Sequence, residues 1–126
     1  MRRPHPTLTP QELAIMKVVW RLESATVRDV YEALRAERTI AYTTVMTMMR
    51  ILEDKGYLKK SNSTDRAYVY APAKPRQQVL GAMVRDFVDR VFDGAPDSLL
   101  LHLAKDNKLT LKQRRIIEKL IDDIEE

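Results

Sequence analysis

Thr43, Met46, Thr47 and Arg50 recur at three- and four-residue spacing, so an α-helix would gather them on one side. Val45, Met48, Met49 and Leu52 would fall on the opposite side. The second set suits a core. The first joins small hydroxyls to one guanidinium, groups able to hydrogen-bond base edges in a DNA major groove. Lys59, Lys60 and Arg66 follow, around the polar run Ser61-Asn62-Ser63-Thr64-Asp65. Cations on a hairpin suit backbone phosphates. An ordinary helix with a wetted polar face is the plainer alternative, and the neighbouring segments must separate the two.

Local signals define those segments. Thr9-Pro10-Gln11-Glu12 is a capping box with proline at the first helical position. It predicts a helix to about Leu22, with Leu13, Met16, Val19 and Trp20 inward. Ala25-Thr26 reads as a short extended stretch. Thr26 and Asp29 then open a second helix, with Val27, Val30, Tyr31 and Leu34 inward. A third helix runs from near Ala41 to Lys55-Gly56, where glycine supplies a left-handed cap. Residues 57–61 and 66–70 read as two strands about a turn, and Pro72 and Pro75 mark a boundary. Three helices and a hairpin in this order predict a winged helix-turn-helix domain over residues 9–73, after an N-terminal arm over residues 1–8.

Residues 74–126 predict three more helices. In the first, Val79, Leu80, Met83, Val84, Phe87, Val88, Val91 and Phe92 cover more than half the circumference, too much for a helix wetted on its outer side. Leu99, Leu100, Leu101 and Leu103 follow in a second helix. Thr110-Leu111-Lys112-Gln113, another capping box, opens a third, lined by Ile116, Ile117, Leu120, Ile121 and Ile124. Three short helices make a poor independent core. The sequence therefore predicts a two-fold homodimer, with Val79, Leu80, Met83, Val84, Phe87, Val88, Val91, Leu99, Leu100, Leu103, Ile117 and Leu120 at its interface; a monomer whose first C-terminal helix packs back onto its own N-terminal domain is the alternative. The expected fold class is mostly α: a winged helix followed by a helical dimerisation region.

Charge follows the same division. Residues 1–75 carry 13 Lys/Arg against 8 Asp/Glu, and residues 76–126 carry 9 against 10. The overall +4 charge therefore resides with the candidate reading helix. Other functions find little support. With no cysteine there is no disulfide, thiolate metal site or thiol nucleophile. His5 and His102 have no partner at triad or zinc-ligand spacing. No phosphate-cradling glycine loop is present. The expectation is no enzyme, cofactor or metal. No apolar run approaches the roughly 20 residues a membrane span needs, and no apolar stretch follows Arg2-Arg3, so neither membrane insertion nor a signal peptide is expected and a cytoplasmic location is. Three residues keep alternatives. Tyr42 suits a phosphate or packing on the second helix, Arg66 suits a phosphate or Asp65, and Ser61 belongs to a tip that is either solvated or set against the minor groove.

Leu8-Thr9…Glu12…Met16…Trp20, Thr26-Val27-Arg28-Asp29-Val30, Ala41-Tyr42-Thr43-Thr44-Val45, Lys55-Gly56 and Arg66-Ala67-Tyr68-Val69-Tyr70 together resemble the penicillinase-repressor family of the BlaI and MecI type. Phe92-Asp93-Gly94 followed by Ser98-Leu99 resembles the start of its C-terminal region. The likeness covers almost the whole chain. It implies a bacterial transcriptional repressor that binds an inverted-repeat operator in double-stranded DNA as a homodimer and occludes a promoter. By the motif, Thr43, Thr44, Met46 and Thr47 face the groove; Arg50 joins them from the helical spacing. Met46 stands where some relatives have a long basic side chain. A thioether cannot donate a hydrogen bond but can touch a thymine methyl. Some relatives are inactivated through a membrane sensor-protease pathway by cleavage at an Asn-Phe bond. The matching bond here is His102–Leu103, a departure. The cysteine-rich tail of copper-responsive relatives has no counterpart. A winged-helix module binding another protein instead of DNA is the competing class, and the basic wing argues against it.

Overall fold

The computed structural model describes residues 8–62 and 68–125. Its elements are α1 (Pro10–Leu22), α2 (Val27–Arg35), α3 (Tyr42–Asp54), β1 (Leu58–Asn62), β2 (Tyr68–Pro72), α4 (Arg76–Val91), α5 (Pro96–Ala104) and α6 (Leu111–Glu125). The strands are antiparallel, with Leu58 opposite Pro72 and Lys60 opposite Tyr70. The mostly α winged-helix order expected from the sequence is therefore present. The chain divides into two compact units, Met1–Leu80 and Gly81–Glu126. α4 begins in the first and continues into the second.

Capping boxes mark the starts of α1, α2 and α6. Thr9 and Glu12 exchange hydrogen bonds at 2.9 and 3.1 Å. Thr26 and Asp29 do so at 3.0 and 3.1 Å, and Thr110 and Gln113 at 2.9 and 3.1 Å. Each pair satisfies backbone amides that the first turn leaves unbonded. α3 lacks such a box. Its N-cap is Ala41, with no side-chain cap. The stop of α3 is well made. The Gly56 amide donates to Glu53 O at 3.0 Å and the Tyr57 amide to Leu52 O at 2.9 Å. Gly56 sits at φ +88°, the glycine-favouring conformation this closure requires.

In the first unit, α1, α2 and α3 enclose Ile15, Met16, Val19, Val30, Val45, Met49 and Leu52, each without measurable exposure. Burying a side chain of this kind contributes about 1.5–3 kcal/mol. Ile15 and Val18 belong to this core, although the expected α1 stripe omitted them. Leu13 and Trp20, expected inward, are half-buried. The Trp20 indole N–H donates to Lys74 O at 3.1 Å. Leu8, expected in the arm, is buried. The Ala25-Thr26 stretch adds a single antiparallel bridge to the free edge of β2: the Ala25 amide donates to Tyr70 O at 2.9 Å, and the Tyr70 amide to Ala25 O at 2.8 Å.

In the second unit, α5 packs on α6. Arg114 of α6 donates to Ala104 O and, at 2.8 Å, to Asp106 O, meeting carbonyls at the α5 C-terminus. Phe92 stacks edge-on with Phe87 and His102, at 5.8 and 6.0 Å between centroids. Val88 is buried, but Val84, Phe87, Val91, Leu101, Ile116 and Leu120 are each more than 40% exposed.

Candidate nucleic-acid interface

α3 has the two faces its spacing predicts. Val45, Met49 and Leu52 are fully buried, Met48, expected with them, is only half-buried, and Thr43, Met46, Thr47 and Arg50 are exposed. Thr44 is half-buried and lies at the margin. Arg50 makes no ion pair or hydrogen bond among the described residues, so its guanidinium is available.

The position of α3 is held at both ends. At its C-terminus Lys55 Nζ donates to Glu12 Oε2 at 2.8 Å, and Glu12 is buried at the start of α1. Burial pushes the Glu12 carboxyl pKa up. The Lys55 hydrogen bond and charge, with the hydrogen bonds to Thr9, outweigh this and hold it below its ordinary value. Tyr57 beside this pair moves upward, chiefly through burial, partly offset by the Lys55 charge. At its N-terminus Tyr42 packs edge-on against Tyr31 of α2, with centroids 5.5 Å apart. The packing alternative for Tyr42 is thus realised, while 39% of the residue remains exposed.

The wing adds its cations unequally. Successive residues of a strand point to opposite faces, so Lys59 and Lys60 are turned apart. Lys60 lies over the Tyr68 ring, 4.3 Å from its centroid, and pairs with Glu53 of α3 at 3.6 Å. Lys59 is exposed. The Ser61 hydroxyl donates across the hairpin to Val69 O at 3.4 Å. Arg66, Ser63, Thr64 and Asp65 lie outside the described residues.

These parts enclose a groove of about 460 Å³, lined by Thr26, Val27, Arg28, Tyr42, Met46, Arg50, Lys60, Tyr68 and Tyr70. Among the described residues its lining has three cationic side chains and no carboxylate, with Arg28 and Lys60 paired to Glu32 and Glu53 outside the lining, a composition that favours anions. Arg28 was not among the candidates from sequence. Its guanidinium lies 5.9 Å from the Tyr42 centroid and pairs with Glu32 at 3.2 Å. One signal could have found it. The first helix of a helix-turn-helix crosses the DNA backbone, and Arg28 lies in the first turn of α2.

The remaining candidates lie in α4, α5 and α6. Val79 and Val88 are buried by their own chain, whereas Leu80, Met83, Leu99, Leu100, Leu103 and Ile117 are half-buried and Val84, Phe87, Val91 and Leu120 exposed. His102 and Leu103 lie in the last turn of α5, their carbonyls accepting from the Lys105 and Asp106 amides at 3.2 and 3.0 Å. No helix among the described residues is long and apolar enough to cross a membrane.

Residues 8–123 match the family described as penicillinase repressor. The transcriptional regulator BlaI of Mycobacterium tuberculosis is 38% identical over 96 residues, covering 75% of this chain and 69% of that protein. The penicillinase repressor of Bacillus licheniformis is 26% identical over 118 residues, covering 94% and 91%. Among solved structures, monomeric Bacillus licheniformis BlaI in complex with the blaP half-operator superposes with a TM-score of 0.50 at 29% identity, covering 60% of this chain and 89% of that one.

Proposed function

The chain belongs to the penicillinase repressor family, and on that premise we propose that it is a sequence-specific DNA-binding transcriptional repressor. The observation that carries this proposal is the groove in which the outer face of α3 meets Arg28, Arg50 and Lys60. In this mechanism α3 enters the major groove, Thr43, Thr44, Met46, Thr47 and Arg50 meet base edges, and Tyr42, Arg28, Lys59, Lys60 and Arg66 meet the backbone. The solved half-operator complex of a 29% identical relative supports DNA as the ligand.

We propose further that the protein acts as a homodimer on an inverted repeat. The exposed apolar side chains of α4, α5 and α6 support this, since they would leave water against a second copy. Two-fold symmetry then requires half-sites separated by whole helical turns. Derepression by cleavage at His102–Leu103 would require the last turn of α5 to open first, because both carbonyls are engaged there.

Selection of bound duplexes from a random pool tests the proposal. An inverted repeat is the expected product. A pool that stays random would refute base reading, and a single half-site would refute the dimer.

A further inference from the structure

Lys60 and Arg50 line one groove but differ in state. Arg50 is without an ionic partner among the described residues, whereas Lys60 is held by Glu53, one turn further along α3. Glu53 lies within reach of either cation by position, and it takes the wing lysine. At 3.6 Å the contact exceeds hydrogen-bond length. Each side chain is about a third exposed (31% and 29%), so water and salt weaken the attraction. A DNA phosphate can therefore displace the carboxylate, but only in competition with it.

We infer that Glu53 is a built-in competitor of DNA phosphate for Lys60 and sets the sequence-independent part of the affinity. The inference rests on the DNA-binding reading. In the free protein Glu53 and the Tyr68 ring occupy the ammonium group. On binding, the ammonium must leave the carboxylate to reach phosphate, and the abandoned charge then lies beside a polyanion. Both effects weaken binding to every duplex alike. Glu53 is a positioning residue here and touches no base.

The test is a double-mutant cycle with a mixed-sequence duplex as probe. Glu53→Gln should bind roughly two- to five-fold tighter, the range for releasing a partly exposed pair. Its salt slope should stay close to that of the wild type, because Lys60 meets phosphate in both proteins and only the cost of releasing it differs. In a Lys60→Ala background the same substitution should change affinity far less, because nothing remains to release. Asp54→Asn, an equal charge change one residue away, controls for the general field and should give a smaller gain with an unchanged slope. Glu53→Asp keeps the charge but withdraws it by one methylene from a contact already at 3.6 Å, so it should give only part of the gain. Thermal melts establish that each variant is folded. Unchanged or weaker binding by folded Glu53→Gln overturns the inference, as does an equal gain with and without Lys60. Wild-type protein that binds no duplex would overturn the DNA reading itself, and this inference with it.

Discussion

Glu12 and Lys55, one at the start of α1 and the other just past the end of α3, meet in a 2.8 Å ion pair whose acid is buried and whose base is partly exposed. The second Glu12 oxygen accepts the Thr9 amide at 2.9 Å. One carboxylate thus caps α1 and pins the outward-facing helix against the core. A buried charge costs free energy unless paired, and here the pairing crosses from one helix to another.

Glu12→Gln separates the two roles. Glutamine still accepts the Thr9 amide, as in a capping box, but offers Lys55 no charge. Stability at neutral pH should fall by about 1–2 kcal/mol, tempered by the exposure of Lys55. The folded-state pKa of Glu12 lies below its ordinary 4.5, so the ionised form stabilises the fold above that value and the benefit is lost as pH drops through the folded-state pKa. Urea titrations should show the gap between wild type and variant intact at neutral pH and closing below 4.5. A gap that remained undiminished in acid would refute the ion-pair account.

Arg28→Ala and Arg50→Ala should behave differently. Loss of Arg28 should weaken all sequences alike and lower the salt slope by ~1 per half-site. Loss of Arg50 should relax base preference by ~1–3 kcal/mol at one position. Competition binding with selected and scrambled duplexes at two salt concentrations distinguishes them. Uniform weakening by Arg50→Ala would move that residue to the backbone set.

Met46→Gln should change what is read. A thioether can touch only a methyl group, whereas an amide pairs with the adenine edge. Repeating the selection with this variant should turn one position per half-site towards adenine and leave the others as they were. An identical selected sequence would mean that Met46 does not face a base.

Phe87→Asp should yield monomers. Phe87 is 42% exposed on α4 and stacks on Phe92, so a charge there would stand in the proposed interface. Light scattering should register half the mass, with binding to a full inverted repeat sharply reduced. Intact dimers would remove α4 from the interface.

The sequence made legible whatever depends on neighbours a few residues apart. Thr9, Thr26 and Thr110 announced their helices because a capping box is completed within four residues, and Gly56 announced a stop because few other residues adopt its conformation. The two faces of α3 followed from spacing alone. Contacts formed over long separations were not legible: Glu12 read only as a cap, since nothing local indicates that Lys55 will reach it. Lys59 and Lys60 are adjacent in sequence, but the pleat of a strand turns their side chains apart. Nothing local marks Arg28, because its place in the groove depends on α2 lying beside α3. The strands also run later than expected, to Asn62 and Pro72, because their register answers to burial of Leu58 and Tyr70.

The double hydrogen bond between Ala25 and Tyr70 bears on the timing of recognition. A lone two-stranded hairpin is marginal in water, and a wing made that way would have to be ordered by its ligand. Bridged to the loop between α1 and α2, the base of this wing is ordered in the free protein, before the proposed encounter with DNA. The entropy of ordering it is spent during folding, so encounter is closer to docking of preset surfaces. Slow exchange of the Ala25 and Tyr70 amide protons in the free protein would be its signature.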